Sequence, residues 1–107
     1  MNLITREELL AAMHSGEPLV VLEALPEKFY RHGHLPGALL FPLAEARELA
    51  PRAAPDRSTR VVVYCASATC KNSHEAADVL TSMGYRAVQV YADGKADWQA
   101  AGLELER

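Results

Sequence analysis

The stretch RVVVYCASATCKNSHEAADVLTSMG (60–84) joins two patterns of different period. Its first part, RVVVYC, is a short unbroken run of β-branched and aromatic residues, which predicts a buried strand. Its last part, SHEAADVLTSMG, predicts a helix: Ala77, Leu80 and Met83 fall on one face, Ser73 can cap its start, and Gly84 closes it. Between strand and helix lies a loop of small and polar residues that begins at Cys65 and contains Cys70.

The same alternation continues outward. ITREELLAAMHSG (4–16) predicts a helix, with Thr5 and Glu8 spaced as a capping box and Leu9, Leu10 and Met13 on one face. PLVVLEA (18–24) predicts a buried strand, and PEKFYRHGH (26–34) a short helix that starts at Pro26 and stops at Gly33. Pro36-Gly37 marks a turn, ALLF (38–41) a brief strand, LAEARELA (43–50) a short helix, and PRAAPDRST (51–59) a loop. AVQVY (87–91) alternates as a strand, and KADWQAAG (95–102) predicts a last helix anchored by Trp98. Apolar strands joined by helical crossovers predict an α/β fold, with a central parallel sheet of about five short strands and helices on both faces. The 107 residues suit one domain over 1–107. Ligands of such sheets sit beyond the carboxyl ends of the strands, which is where Cys65 falls.

Composition narrows the function. Half of the residues are hydrophobic, 23% are charged and the net charge is −3. No basic block exists, so nucleic acid is not expected as a partner. The apolar stretch GALLFPLA (37–44) is too short to span a bilayer, so no membrane partner is expected. MNLITREELL (1–10) carries Glu7 and Glu8 and lacks the apolar core of a secretory signal, so a cytoplasmic location and two reduced thiols are the expectation. The oligomeric state is not legible.

Three chemistries fit two cysteines at this spacing. Cys65, Cys70 and His74 form an incomplete metal set that would need His32 or His34 as a fourth ligand, and the spacing rules for structural zinc are poorly met. A cysteine at a strand end is often a small buried hydrophobe. Against that, ASATCKNS (66–73) ends at a helix N-terminus, where backbone N–H groups and the helix dipole favour an anion. A sulfur held there ionises more easily and becomes a nucleophile facing an anionic ligand.

Four segments, in order, carry a resemblance to the single-domain rhodaneses, a family of sulfurtransferases. They are the first strand and short helix leading into Gly33-His34-Leu35-Pro36-Gly37-Ala38, the strand VVVYC, the helix SHEAADVLTSMGY, and the closing segment VQVYADGKADWQAAGLELE. The resemblance implies that Cys65 is catalytic. Its thiolate takes sulfur from a small anionic donor such as thiosulfate, holds it as a persulfide, and passes it to a thiol acceptor or cyanide. It further implies that Ala66, Ser67, Ala68, Thr69, Cys70, Lys71 and Asn72 form the substrate-binding loop, with backbone N–H groups of 66–71 around the anionic sulfur. His34 is read as scaffold, its ring fixing the Pro36-Gly37 turn. No cofactor and no metal are implied.

The chain departs from the family pattern at the loop. Aligning Ser73 with the family's loop-end serine leaves two extra residues, no glycine and no arginine. Asn72 stands in the arginine's place, and Lys71 is the nearest cation. Glu23-Ala24-Leu25 replaces an Asp-x-Arg, and Asp93-Gly94 replaces a double glycine. Cys70 is a candidate resolving thiol. The longer loop also leaves open an arsenate reductase or phosphatase-like enzyme using the same cysteine, or a non-catalytic interaction module.

Overall fold

Four parallel strands, β1 (Leu19–Glu23), β2 (Leu39–Leu40), β3 (Arg60–Tyr64) and β4 (Val88–Tyr91), form one sheet in the order β2-β1-β3-β4. The computed structural model describes residues 2–107. Leu3 adds a parallel bridge beside Val90 at the β4 edge, so the expected parallel sheet of about five short strands is met with four strands and this bridge among the described residues. β3 is central: Glu23 pairs with Tyr64 on one side and Tyr91 pairs with Tyr64 on the other.

The pleat divides the valine run between two cores. Val61 and Val63 join Leu22, Phe41, Ala50, Ala76 and Leu80 on one face, beneath α3 (Ala46–Ala53) and α4 (Asn72–Ser82). Val62 and Tyr64 join Ile4, Leu9, Leu35, Tyr91 and Trp98 on the other, beneath α1 (Arg6–His14) and α5 (Gly94–Ala100). Burial on both faces is why the strands are continuously apolar.

The capping box of α1 is present, with Thr5 and Glu8 bonded reciprocally. The short α2 (Glu27–His32) runs from Pro26 to Gly33 as expected. Three local expectations change. Residues 43–45 form a 3-10 turn before α3, and α3 continues through Pro51 into the segment read as loop. The cause is tertiary: the buried Tyr85 hydroxyl bridges the carbonyls of Ala50 and Ala54 at 3.0 and 2.6 Å, fixing the helix end that proline would weaken. The Pro36-Gly37 turn is held by Glu106, whose carboxylate accepts from the Gly37 N–H at 2.8 Å. The His34 ring instead stacks on Tyr30 and contacts the Tyr30 carbonyl at 3.0 Å. No helix among the described residues is long and apolar enough to cross a membrane.

An ion pair ties together the two helices of the second face. Arg6 of α1 donates to Asp97 of α5 at 2.8 Å, and the Tyr91 hydroxyl donates to the other carboxylate oxygen. The Tyr91 hydrogen bond, with Arg6 beside it, holds the Asp97 carboxyl below its ordinary value of 3.8. A carboxylate depressed in the folded state stabilises above its unfolded value and loses that contribution as pH falls through the folded one. Asp97→Asn should therefore lower the urea midpoint near neutral pH, and the gap from the parent should narrow below about pH 4. A gap that stays constant across that range would contradict the assignment.

Candidate active site

β3 ends at Tyr64, and the chain turns out of the sheet at Cys65, which is 1% exposed. Two hydrogen bonds from the first turn of α5 fix that turn. Lys95 N–H donates to the Cys65 carbonyl and Ala96 N–H to the Ala66 carbonyl, both at 2.9 Å. The approach is close enough to demand glycine at the start of α5. Gly94 has φ +68°, and a Cβ there would lie 2.6 Å from the Cys65 carbonyl oxygen and 3.0 Å from the Ser67 nitrogen.

Beneath the turn lies a buried polar cluster that composition and spacing did not reveal. The Tyr64 hydroxyl donates to Glu23 Oε1 at 2.6 Å and accepts from the Leu35 N–H at 3.0 Å. Lys95 Nζ reaches the same carboxylate oxygen at 2.9 Å and the Phe29 carbonyl at 3.2 Å. Burial, then the hydrogen bond to Glu23, pushes the Tyr64 hydroxyl far above the ordinary tyrosine range, so it stays a donor. Glu23 is fully buried, and its Oε2 has no partner among the described residues. Lys95 is therefore what makes the carboxylate tolerable, since leaving a buried charge unpaired costs roughly 3–5 kcal/mol. The partnering cation comes from α5, where sequence order gave no hint of it.

The loop itself is drawn in. Cys65 Sγ sits 3.4 Å from the Ser73 hydroxyl and 3.4 Å from the Cys70 carbonyl oxygen. Ser73 does not cap α4. The helix begins one residue earlier, at Asn72 after Lys71, and Ser73 is buried inside its first turn against the sulfur. Asn72, in the arginine's place, donates from Nδ2 to the Ala24 carbonyl at 3.1 Å and so ties α4 to the end of β1. Lys71 is exposed, as are Ala66, Ala68 and Thr69, while Ser67 and Cys70 are half-buried. The Cys70 N–H donates to the Ser67 carbonyl at 3.0 Å, so that one loop donor is committed within the loop. An open groove of about 830 Å³ runs from Asn72 along Pro26, Leu40, Pro42, Leu43 and Leu49.

Cys65 and Cys70 are joined in a disulfide, with Cα atoms 6.3 Å apart. That separation is inside the range a disulfide spans. The expectation of two separate thiols thus gives way to a bonded pair.

A family profile described as Rhodanese-like domain matches residues 5–101. The chain belongs to the rhodanese-like domain family. It is 34% identical over 103 residues, 96% of its length, to an HTH-type transcriptional regulator of Mycobacterium tuberculosis, and covers 44% of that protein. It is 37% identical over 65 residues to the thiosulfate sulfurtransferase PspE of Escherichia coli, covering 61% of this chain and 60% of PspE. The chain therefore spans between two-fifths and three-fifths of the curated relatives it matches. The crystal structure of a thiosulfate sulfurtransferase from Pseudomonas aeruginosa aligns with all of this chain and 20% of its own, at 28% identity and a TM-score of 0.86.

Gly94→Ala tests how tightly the rhodanese-like loop is seated. Gly102 has a similar φ of +80° but open space around it, so Gly102→Ala carries only the backbone strain. Gly94→Ala should cost about 1–3 kcal/mol from strain and more from displacing the Cys65 turn. Equal losses for the two variants in denaturant unfolding would mean that the close approach imposes nothing.

Proposed function

We propose that the chain is a sulfurtransferase that moves sulfane sulfur from a small anionic donor, thiosulfate as the type, through a persulfide on Cys65 to a thiol or cyanide acceptor. The observation that carries the reading is the position of the Cys65 sulfur. It lies at the carboxyl edge of the central strand, against the Ser73 hydroxyl and the first turn of α4. The thiosulfate sulfurtransferases among its relatives support the same chemistry.

In the first step the Cys65 thiolate attacks the outer sulfur of thiosulfate, the S–S bond of the donor breaks, and sulfite leaves with the electron pair. In the second, an acceptor thiolate or cyanide attacks the outer persulfide sulfur and the Cys65 thiolate leaves. The loop from Ala66 to Asn72 surrounds the donor. Lys71 is exposed at its end and adds a point charge for the anion. Phosphoryl transfer has less support, because bidentate recognition of a tetrahedral oxyanion favours arginine and the loop has none.

A second reading is favoured by the Mycobacterium tuberculosis regulator, which matches nearly the whole of this chain within a longer protein. On that reading the domain is a non-catalytic interaction module within a larger protein.

Reduced Cys70→Ser protein, freed of reductant and treated with thiosulfate, should gain the mass of one sulfur on the peptide holding Cys65. Cyanide should remove it as thiocyanate, and Cys65→Ser should gain nothing. An added sulfur that persists in Cys65→Ser would overturn the assignment.

A further inference from the structure

The two sulfurs of the Cys65–Cys70 bond are not equally placed. Cys65 is buried to 1% exposure beneath the loop. Cys70 is half-buried and lines an outward hollow of about 550 Å³ with Ala68, Thr69, Lys71, His74 and Glu75. A thiol arriving from solvent therefore meets Cys70 first. On the inner side, the Ser73 hydroxyl stands 3.4 Å from Cys65 Sγ, ready to receive it as a leaving thiolate.

We propose that Cys70 is a resolving thiol and that the pair makes the chain a persulfide reductase, which releases the sulfane sulfur as sulfide and is reopened by a small external thiol at Cys70. The inference rests on the reading of Cys65 as sulfur carrier. In the resolving step, the Cys70 thiolate attacks Cys65 Sγ, the inner sulfur of the persulfide. The Sγ–Sγ bond forms, the bond to the outer sulfur breaks, and that sulfur leaves with the electron pair as hydrosulfide. The sulfane sulfur is reduced, and the two cysteines are oxidised to the disulfide found here. A low-molecular-weight thiol then attacks Cys70 Sγ. A mixed disulfide forms on Cys70 and the Cys65 thiolate departs toward Ser73. A second thiol frees Cys70 as the external disulfide. One persulfide sulfur and two thiols thus give one hydrogen sulfide and one disulfide. The direction follows from access, because exchange proceeds at whichever sulfur the incoming thiolate can reach in line.

The test loads fully reduced, reductant-free wild type and Cys70→Ser with one equivalent of thiosulfate, then follows persulfide mass and sulfide over time. Wild type should release close to one equivalent of sulfide per chain and accumulate the Cys65–Cys70 disulfide. Cys70→Ser should release none and hold its persulfide roughly tenfold longer or more. Equal persulfide lifetimes, with no sulfide from wild type, overturn the proposal while leaving the sulfur-carrier reading intact. No persulfide in either protein, and no sulfide, defeats the carrier reading itself and this inference with it. The direction is read separately. Disulfide-form wild type is mixed with 2-mercaptoethanol and quenched in acid, and the mixed disulfide is located by fragmentation of the peptide that carries both cysteines. It should sit on Cys70, and a mixed disulfide on Cys65 overturns the direction.

Discussion

The Cys65 carbonyl accepts a hydrogen bond from the Lys95 N–H across a gap that only a glycine at 94 leaves open. This contact joins the end of the central strand to the start of the last helix. It sets where the chain leaves the sheet, and therefore where the Cys65 sulfur points. The same Lys95 sends its side chain back to Glu23 at the end of β1. One residue thus braces the cysteine turn through its backbone and the buried carboxylate through its side chain. Asn72 closes the third side by binding the Ala24 carbonyl. Strand ends, loop and two helices converge within a few residues, which fixes the turn at Cys65.

The buried Glu23–Tyr64–Lys95 cluster explains how a charged residue stands at a fully enclosed strand end. The Tyr64 hydroxyl and the Lys95 ammonium meet one carboxylate oxygen, while Tyr64 also satisfies the Leu35 N–H. Such a cluster specifies geometry more than it adds stability, because desolvating the charges offsets much of their attraction. Here it fixes β1, β3 and α5 relative to one another beneath the loop.

The fold was legible because its signals are local and periodic. VVVY reads as a strand whichever face each valine occupies, and the Thr5–Glu8 capping box is a property of four residues. α3 was cut short because Pro51 is a breaker by rule, whereas the Tyr85 hydroxyl that holds the helix end lies more than thirty residues away. Ser73 read as a cap because serine before an apolar run usually is one. Its burial against Cys65 follows from the helix starting at Asn72, which rests on the tie to Ala24. Lys95 was invisible as a site residue for the same reason: a lysine in a short terminal helix reads as solvated until the topology brings it beneath the sheet's edge. Cys65 stands out in the sequence by its place at a strand end. That Cys70 bonds to it depends on loop geometry, which spacing alone leaves undetermined.

On the proposed function, the bonded pair gives the site two states, one with Cys65 tied to Cys70 and one with its sulfur free to attack a donor. On that reading, sulfur chemistry runs only in the second state. Sulfite is the product of the first step, so its release from thiosulfate reads that step without any acceptor. In a single-turnover measurement, the disulfide form should release no sulfite, and the same protein after reduction and removal of reductant should release about one equivalent per chain. Equal sulfite release from both forms would contradict the claim, because the attacking sulfur could not then be the one held in the Cys65–Cys70 bond.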